Sequence, residues 1–446
     1  MIKNRDEILS CGDVEAKDVA LKIVEHAIKK ADPYRIVRES IRLENSKIIV
    51  EEREFEAENI YVVAIGKAAC PMAKAIEDLL GDRIKEGVAV TKYGYSMPLS
   101  RMDVIEAGHP IPDENSVRGA KRGLEIAKKV GKNDLLIVLI SGGGSALFVM
   151  PEDGISLEDK IRTNELLLKS GAKIHEINTV RKHISRVKGG KFVKNVRGTV
   201  LALIISDVVG DNLEVIASGI TVRDPTTFED AFRVLKLHRL WDAVPESVRR
   251  HIELGMEGKR EETLKEDLSN VHNFLICGMG KVCEFAMEKA SELGYPAHVI
   301  TSTLEGEAKH AGTVIASIVQ EIWKNGRPFE RPVVLIFGGE TTVTISGNAG
   351  KGGPNQELAL SSAKKIVKLR GCCIASIDTD GTDGPTEVAG GIVDSYTAEV
   401  LESKGIDIDE YLSEHNAYVA LKFAKGLVIT GATRTNVNSI VVAVVL

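Results

Sequence analysis

The sequence predicts an α/β protein of two domains, an N-terminal doubly wound, Rossmann-like parallel sheet followed by a second α/β domain with a mixed sheet. Three observations carry this. Short apolar runs such as IYVVAI (60–65), LLIVLI (135–140) and TVLALIIS (199–206) do not alternate with polar residues, the pattern of strands covered on both faces. Stretches with apolar residues at helical spacing separate them. At 446 residues the chain is too long for one core.

Taken in order, Val19, Ile23, Val24, Ala27 and Ile28 form the first helical stripe. IYVVAI reads as a strand, and Met72, Ile76, Leu79 and Leu80 as the helix after it. GVAVT (87–91) and LLIVLI are the next strands. The box SLED (156–159) opens a helix that stops near Gly171. TVLALIIS follows. A charged stretch over 229–268, with EGKREETLKED, reads as helical. The passage between domains is placed near its end, giving domains 1–265 and 266–446 with a site expected in the cleft between them. In the second half NFLIC (273–277), AHVITS (297–302), VVLIF (333–337), CCIASI (372–377), LVIT (427–430) and IVVAVVL (440–446) read as strands. ETTVTISG (340–347) alternates in period two and reads as a half-exposed strand.

Bulk properties narrow the function. A net charge of −6 argues against a general nucleic-acid or anionic-membrane partner, and 4% aromatics against a stacking surface. Six cysteines, none in a CxxC pair, read as small core residues in a reducing compartment. The opening MIKNRDEILSCGDVEAKD lacks an apolar signal core, and no apolar run reaches membrane-spanning length. A cytoplasmic protein is expected.

In doubly wound sheets ligands bind beyond the carboxyl ends of the strands. Here those ends read GKAACP, SGGGSA, SDVVGDN, GGE, DTDGTDGPT and GATRTNVN. Glycines, hydroxyls, acids and basic residues thus collect at strand ends, as an anion site requires. In SGGGS, the backbone N–H groups of Gly142, Gly143 and Gly144 with the Ser141 and Ser145 hydroxyls can cradle an anion. A close-packing turn is the structural alternative. Lys67, between a strand and a helix, can meet a phosphate at the same edge. The segment EINTVRKHISRVKGG (176–190) offers Arg181, Lys182, His183, Arg186 and Lys188 for anion recognition, or a solvated basic face. Asp207, Asp211, Asp378, Asp380 and Asp383 suit a hard cation such as Mg²⁺, or Asp-Gly turns without metal. The P-loop, HExxH and GxSxG patterns are absent. CGMGKVC (277–283), with Glu305 beyond the next strand, makes only an incomplete dinucleotide loop, because Cys283 holds the third glycine position.

These residues also match a family. The chain resembles the class II glycerate kinases, or glycerate 2-kinases, whose C-terminal part is the MOFRL domain. The likeness runs over nearly the whole chain, through GKAA (66–69), TKYGY (91–95), AGHPIPDENS (107–116), SGGGSAL (141–147), NTVRKHISRVKGG (178–190), SDVVGDNLEVIASG (206–219), FGGETTV (337–343), GTDGPTEVAGGIVD (381–394) and TGATRTNVN (430–438). The resemblance implies ATP-dependent phosphorylation of D-glycerate to 2-phosphoglycerate with Mg²⁺ or another divalent cation. It implies two α/β domains, the second of MOFRL type, and maps a catalytic or phosphate-contacting lysine onto Lys67.

The expected assignment places Lys67 at the phosphoryl group and the SGGGS loop at phosphate or the glycerate carboxylate. Arg181 or Lys188 pairs with that carboxylate. Asp207, Asp380 or Asp383 holds metal or accepts the hydroxyl proton, with Asp207 as the catalytic choice and Asp380 and Asp383 as the metal choices. Two departures from the family stand out. Pro354 replaces an arginine that many relatives carry in GGRNQEL, and Arg434 replaces a glycine of TGPTGTNVN, so Arg434 is a candidate replacement cation. The partners expected are glycerate and a nucleotide, without nucleic acid or membrane, and a homodimer is compatible. The competing readings are an NAD(P)H-dependent hydroxypyruvate reductase and a non-catalytic module binding sugar-acid phosphates.

Overall fold

A computed structural model describes residues 1–345, 347 and 349–446. The strands are β1 (Ile41–Glu44), β2 (Lys47–Val50), β3 (Arg53–Phe55), β4 (Ile60–Ile65), β5 (Ile84–Lys92), β6 (Asp103–Ala107), β7 (Leu135–Ile140), β8 (Thr199–Ile205), β9 (Val271–Cys277), β10 (Ala297–Leu304), β11 (Val333–Gly339), β12 (Cys372–Asp378), β13 (Gly390–Asp394), β14 (Leu427–Val428) and β15 (Ser439–Val445). The chain divides into two compact units, Pro33–Ile276 and Met1–Asp32 together with Cys277–Leu446.

In the unit Pro33–Ile276 the main sheet has the order β6-β5-β4-β7-β8-β9. From β6 through β8 every pairing is parallel. All six residues of β4 and all six of β7 are buried, as their unbroken apolar runs require. The helix Ala69–Leu80 follows β4, and Leu157–Lys169 starts where SLED indicated, with Ser156 Oγ accepting from the Asp159 N–H at 3.0 Å. The chain steps outward from β4 to β5 and β6, then returns to lay β7 against the other side of β4. Ile65 and Ile140, the last residues of β4 and β7, are register partners. The order of the sheet reverses at that junction, and a doubly wound sheet opens its ligand crevice there.

The other unit carries a mixed sheet of order β10-β11-β15-β12-β13-β14. Only β10 and β11 are parallel; the remaining neighbours are antiparallel.

Several expectations are corrected. The strand read as NFLIC lies at the edge of the first sheet, beside β8, and not in the second. The N-terminal helix Val14–Lys30 belongs with the C-terminal unit, where Lys17 Nζ meets Asp394 Oδ2 at 3.3 Å and the Asp13 N–H donates to the same oxygen at 2.8 Å. Periodicity shows that a segment has a buried face but not which sheet covers it. The charged stretch 229–268 forms two helices, Phe228–Leu237 and Glu246–Met256, and EGKREETLKED is irregular. Over 340–345 the alternating pattern forms no strand, only a single bridge from Thr342 to Glu307, while Ser346 lies outside the described residues. LVIT contracts to the two residues of β14. The antiparallel β1–β2–β3 sheet was not anticipated, since β1 buries one residue of four and offers no apolar run.

All six cysteines are free, and all but the half-buried Cys11 are buried. No helix of the described residues is long and apolar enough to cross a membrane.

Candidate active site

Two loops leave the sheet side by side at the β4/β7 junction. Ser141 stitches them together: its N–H and Oγ both donate to Ile65 O, at 2.9 and 3.3 Å, and its Oγ accepts from the Ala68 N–H at 3.0 Å. The Lys67 N–H donates to Gly142 O at 2.8 Å. Gly66 has φ +117°, and a Cβ there would stand 2.3 Å from Ser141 Oγ. Ser141 is 2% exposed and its hydroxyl is consumed, so it builds the loop and is no free donor to a ligand.

The glycines of SGGGS then make room for four side chains. A Cβ on Gly142 would fall 2.0 Å from Asp207 Oδ2, so this carboxylate lies directly against the loop. Gly143, at φ +85°, caps the short helix Gly144–Leu147. A Cβ there would meet His109 Cδ2 at 3.0 Å, His109 Nε2 at 3.1 Å and Lys67 Cγ at 3.3 Å. At Gly144 it would meet Ala217 Cβ at 2.9 Å. Ser145 Oγ is hydrogen-bonded to Ser218 Oγ at 2.9 Å, and that hydroxyl reaches Asn178 Oδ1 at 3.1 Å. Ala217 and Ser218 hold left-handed φ values of 49° and 61°, a strained turn pressed against the glycine loop.

The electrostatics follow from this crowding. Burial raises the Asp207 pKa above the ordinary carboxylate value, and the Lys67 charge works against that rise. Burial first, then Lys67 and Lys92, push His109 down to about 4, so its imidazole is neutral at physiological pH. Asp211, in the same loop as Asp207, has φ +54° and a buried Oδ1 with no hydrogen-bond partner.

The basic segment is not a solvated face. Its helix is Ile174–His183. Lys182 is buried against Asp224 at 3.2 Å, and His183 is buried between Thr179 O and Glu262. Arg186 alone turns outward, to Asp153. Arg181 Nε donates to Asn164 Oδ1 at 2.8 Å. Lys188, 1% exposed, donates to Ala217 O at 3.3 Å and so props the strained turn. Lys160, not singled out from sequence, is buried nearby, where among the described residues it donates only to the carbonyls of Arg181 and Ile184, at 3.4 Å each. Burial, then the charges of Lys160 and Arg181, push Lys188 well below the usual lysine value; burial, then Arg181 and Lys191, push Lys160 to about 7 against the pull of Glu152. Arg181, Lys160 and Lys188 hydrogen-bond only neutral groups among the described residues, while Glu152, paired with Lys191 at 2.6 Å, is the acid that acts on Lys160.

In the other unit, DTDGTDG separates into different roles. Asp383 Oδ1 accepts from Asn355 N–H and Nδ2 at 3.0 and 3.1 Å, and Oδ2 from Gln356 N–H and Nε2 at 2.9 and 2.8 Å. These four N–H donors occupy its lone-pair positions, and through them it anchors the N-terminus of the helix Pro354–Ile366. Pro354 occupies the first turn of that helix, where a missing N–H costs nothing. Asp380 Oδ1 accepts from Thr382 N–H and Oγ1, both at 2.8 Å. Burial and the neighbouring Asp380 raise the pKa of Asp378 well above the ordinary value. Arg434 is exposed at φ +69°. The incomplete dinucleotide loop does not lie in a βαβ unit of one sheet, because β9 belongs to the first sheet while β10 belongs to the second, against which the helix Met279–Glu292 packs.

The sequence reading missed His109, Asn178 and Ser218. His109 was visible only as part of AGHPIPDENS, at a strand end between glycine and proline.

Comparison with known proteins agrees with this architecture. Residues 19–253 match a family model described as a domain of unknown function (DUF4147), and residues 333–439 match the MOFRL family. A glycerate 2-kinase of Pyrococcus horikoshii is 61% identical over 97% of this chain and 98% of its own length. A D-glycerate 2-kinase of Thermotoga maritima is 45% identical over 96% and 98%. A protein of Agrobacterium vitis named a putative hydroxypyruvate reductase is 36% identical over 97% and 95%. The crystal structure of a glycerate kinase of Thermotoga maritima, 44% identical, superposes with a TM-score of 0.87 over 96% of this chain and 99% of that one. Matched in family, in sequence and in fold almost from end to end, the chain belongs to the glycerate 2-kinase family and carries its MOFRL segment at the C-terminus.

Proposed function

We propose that the chain transfers the γ-phosphoryl group of ATP to the 2-hydroxyl of D-glycerate, and that Lys67, Asp207 and the SGGGS loop hold the reacting groups. The observation that carries the assignment of the site is the convergence of Lys67, Asp207 and His109 on Gly142 and Gly143 at the topological switch point. Phosphoryl transfer asks mainly for positioning and for charge aimed at the moving group. Lys67, half-buried beside the loop, supplies that charge. Asp207, with a raised pKa, is suited to accept the hydroxyl proton as the oxygen attacks. The N–H groups of the glycine loop complete the cradle, while the Ser145 hydroxyl, bonded to Ser218 Oγ at 2.9 Å, ties the loop to the Ala217 turn. Arg181 is the residue for the glycerate carboxylate; Lys188 supports it indirectly, through the Ala217 turn.

A divalent cation fits part of the residue set. Among the described residues no group of three or more His, Cys, Asp or Glu side chains is arranged as a metal site. Mg²⁺ carried on nucleotide phosphates needs only one or two protein carboxylates. Asp380, pressed against Asp378, has the donor chemistry for that, and the unpartnered Asp211 oxygen is a second such donor. When bound, Mg²⁺ would neutralise charge on the phosphates. Arg434 remains the cation proposed in place of the arginine absent at Pro354.

The test is product analysis after incubation with ATP, Mg²⁺ and D-glycerate. Formation of 2-phosphoglycerate is expected. Exclusive 3-phosphoglycerate would reject the 2-kinase reading, and no phosphoglycerate with any divalent cation would reject the kinase. An absorbance assay of NADH or NADPH with hydroxypyruvate is expected to show no oxidation.

A further inference from the structure

We propose that His109 is a ligand-contacting residue of this site, its imidazole hydrogen-bonding the anionic group held over the SGGGS loop. The inference rests on the placement of the site proposed above and adds to it a residue with no role there.

The geometry is specific. His109 follows β6 at the carboxyl edge of the sheet, and its Nε2 edge lies over Gly143, where a Cβ would be 3.1 Å from Nε2 and 3.3 Å from Lys67 Cγ. The ring, the lysine stem and the glycine backbone therefore line one small space. His109 is half-buried, yet among the described residues neither ring nitrogen has a hydrogen-bond partner, and neither is sealed from solvent. A purely structural histidine in this fold looks different: His183 is fully buried and bonded through both nitrogens, to Thr179 O and Glu262. His109 sits instead with open polar atoms where the other groups of the site converge.

Its neighbours fix the form in which it acts. Burial first, then Lys67 and Lys92, disfavour the imidazolium, which leaves a neutral ring that donates from one nitrogen and accepts at the other. Such a ring offers direction without adding a third positive charge to a site that must also release its product. A phosphoryl oxygen or a carboxylate seated between Lys67 and the glycine N–H groups lies within reach of that donor.

Two variants and one spectroscopic titration test this. His109→Ala is expected to lower kcat/KM for D-glycerate phosphorylation on the order of 10²-fold, as loss of an aimed donor does. The melting temperature without ligand should stay near that of the wild type. His109→Gln, which sets an amide N–H near the former Nε2, is expected to recover part of the loss. In protein labelled with ¹⁵N at the histidine rings, the His109 resonance, assigned by its absence in His109→Gln, should move on adding inorganic phosphate. Activity of His109→Ala within about threefold of wild type would overturn the proposal. So would a loss matched by a lowered melting temperature and not relieved by glutamine, or a His109 resonance unmoved by saturating phosphate. The titration involves no turnover: a resonance that moves in a protein making no phosphoglycerate would sink the kinase reading and leave the anion contact standing.

Discussion

Two strand-end loops, SGGGS after β7 and DTDGTDG after β12, look alike as sequence and differ in what their polar groups are doing. Around SGGGS the hydroxyls of Ser141 and Ser145 are bonded within the fold but the charged groups and the imidazole are left open: among the described residues Lys67 and His109 have no hydrogen-bonded acid, and Asp207 lies against Gly142. In DTDGTDG the most buried carboxylate, Asp383, is saturated by four N–H donors from Asn355 and Gln356. A glycine- and acid-rich loop is therefore a site only where its polar groups remain unspent. Where they are spent, the same residues are framework.

The largest effect that would break this contrast is at Lys67. Lys67→Ala removes an aimed charge from the open loop and is expected to lower kcat by 10²–10³-fold, about what one preorganised group contributes. Melting without ligand should barely change, because the ammonium takes part in no ion pair among the described residues. A variant within about threefold of wild-type kcat would return Lys67 to the surface and dissolve the distinction between the two loops.

Gly143→Val comes next. The β-branched side chain enters the space shared by His109 and Lys67, at a backbone φ of +85° that valine resists. The expected outcome is loss of the melting-temperature increase that ATP, glycerate and Mg²⁺ give the wild type by linkage. A variant with a lower melting temperature that still rises normally with ligand would mean that the three glycines serve packing alone.

The same contrast shows how much was legible in the sequence. The strands β4, β7 and β8 were readable because burial on both faces demands an unbroken apolar run. Their glycine-rich ends were readable because backbone has to approach backbone there. Which sheet would take β9 or the helix Val14–Lys30 was not, since periodicity reports a buried face and not its neighbour. His109 was illegible as a site residue because a single histidine between glycine and proline has no local signature. Its meaning comes from Gly143, in another loop. The roles of Asp380 and Asp383 could not be separated within DTDGTDG, because the donors that saturate Asp383 sit at 355 and 356.

Asp383→Asn carries the framework half of the contrast. The amide keeps one acceptor oxygen and turns an NH₂ toward donors of Asn355 or Gln356. Buried groups left unsatisfied in this way cost about 1–3 kcal/mol. A lowered melting temperature is expected, with the Mg²⁺ dependence of the fraction that stays folded unchanged. A shifted Mg²⁺ titration at normal stability would restore Asp383 as a ligand, against its hydrogen-bonding pattern.

The smallest expected effect, and the one that sharpens the comparison most, is Asp380→Asn. Asp380 differs from its neighbour in that its hydrogen bonds, from Thr382 N–H and Oγ1, fall on Oδ1. It also stands beside Asp378, whose pKa burial and Asp380 itself raise well above the ordinary value. Two carboxyls in that relation share charge poorly, and a divalent cation would relieve the repulsion. The substitution keeps the size and the oxygen facing Thr382, so stability should hold or rise slightly as the repulsion on Asp378 is removed. The Mg²⁺ concentration needed for half-maximal rate should rise several-fold, since nucleotide phosphates keep most of the coordination and only one carboxylate is lost. If the Mg²⁺ titration of Asp380→Asn overlays that of the wild type, then DTDGTDG is framework throughout, and the metal contacts of this protein must be sought instead at Asp207 and Asp211, beside the open loop.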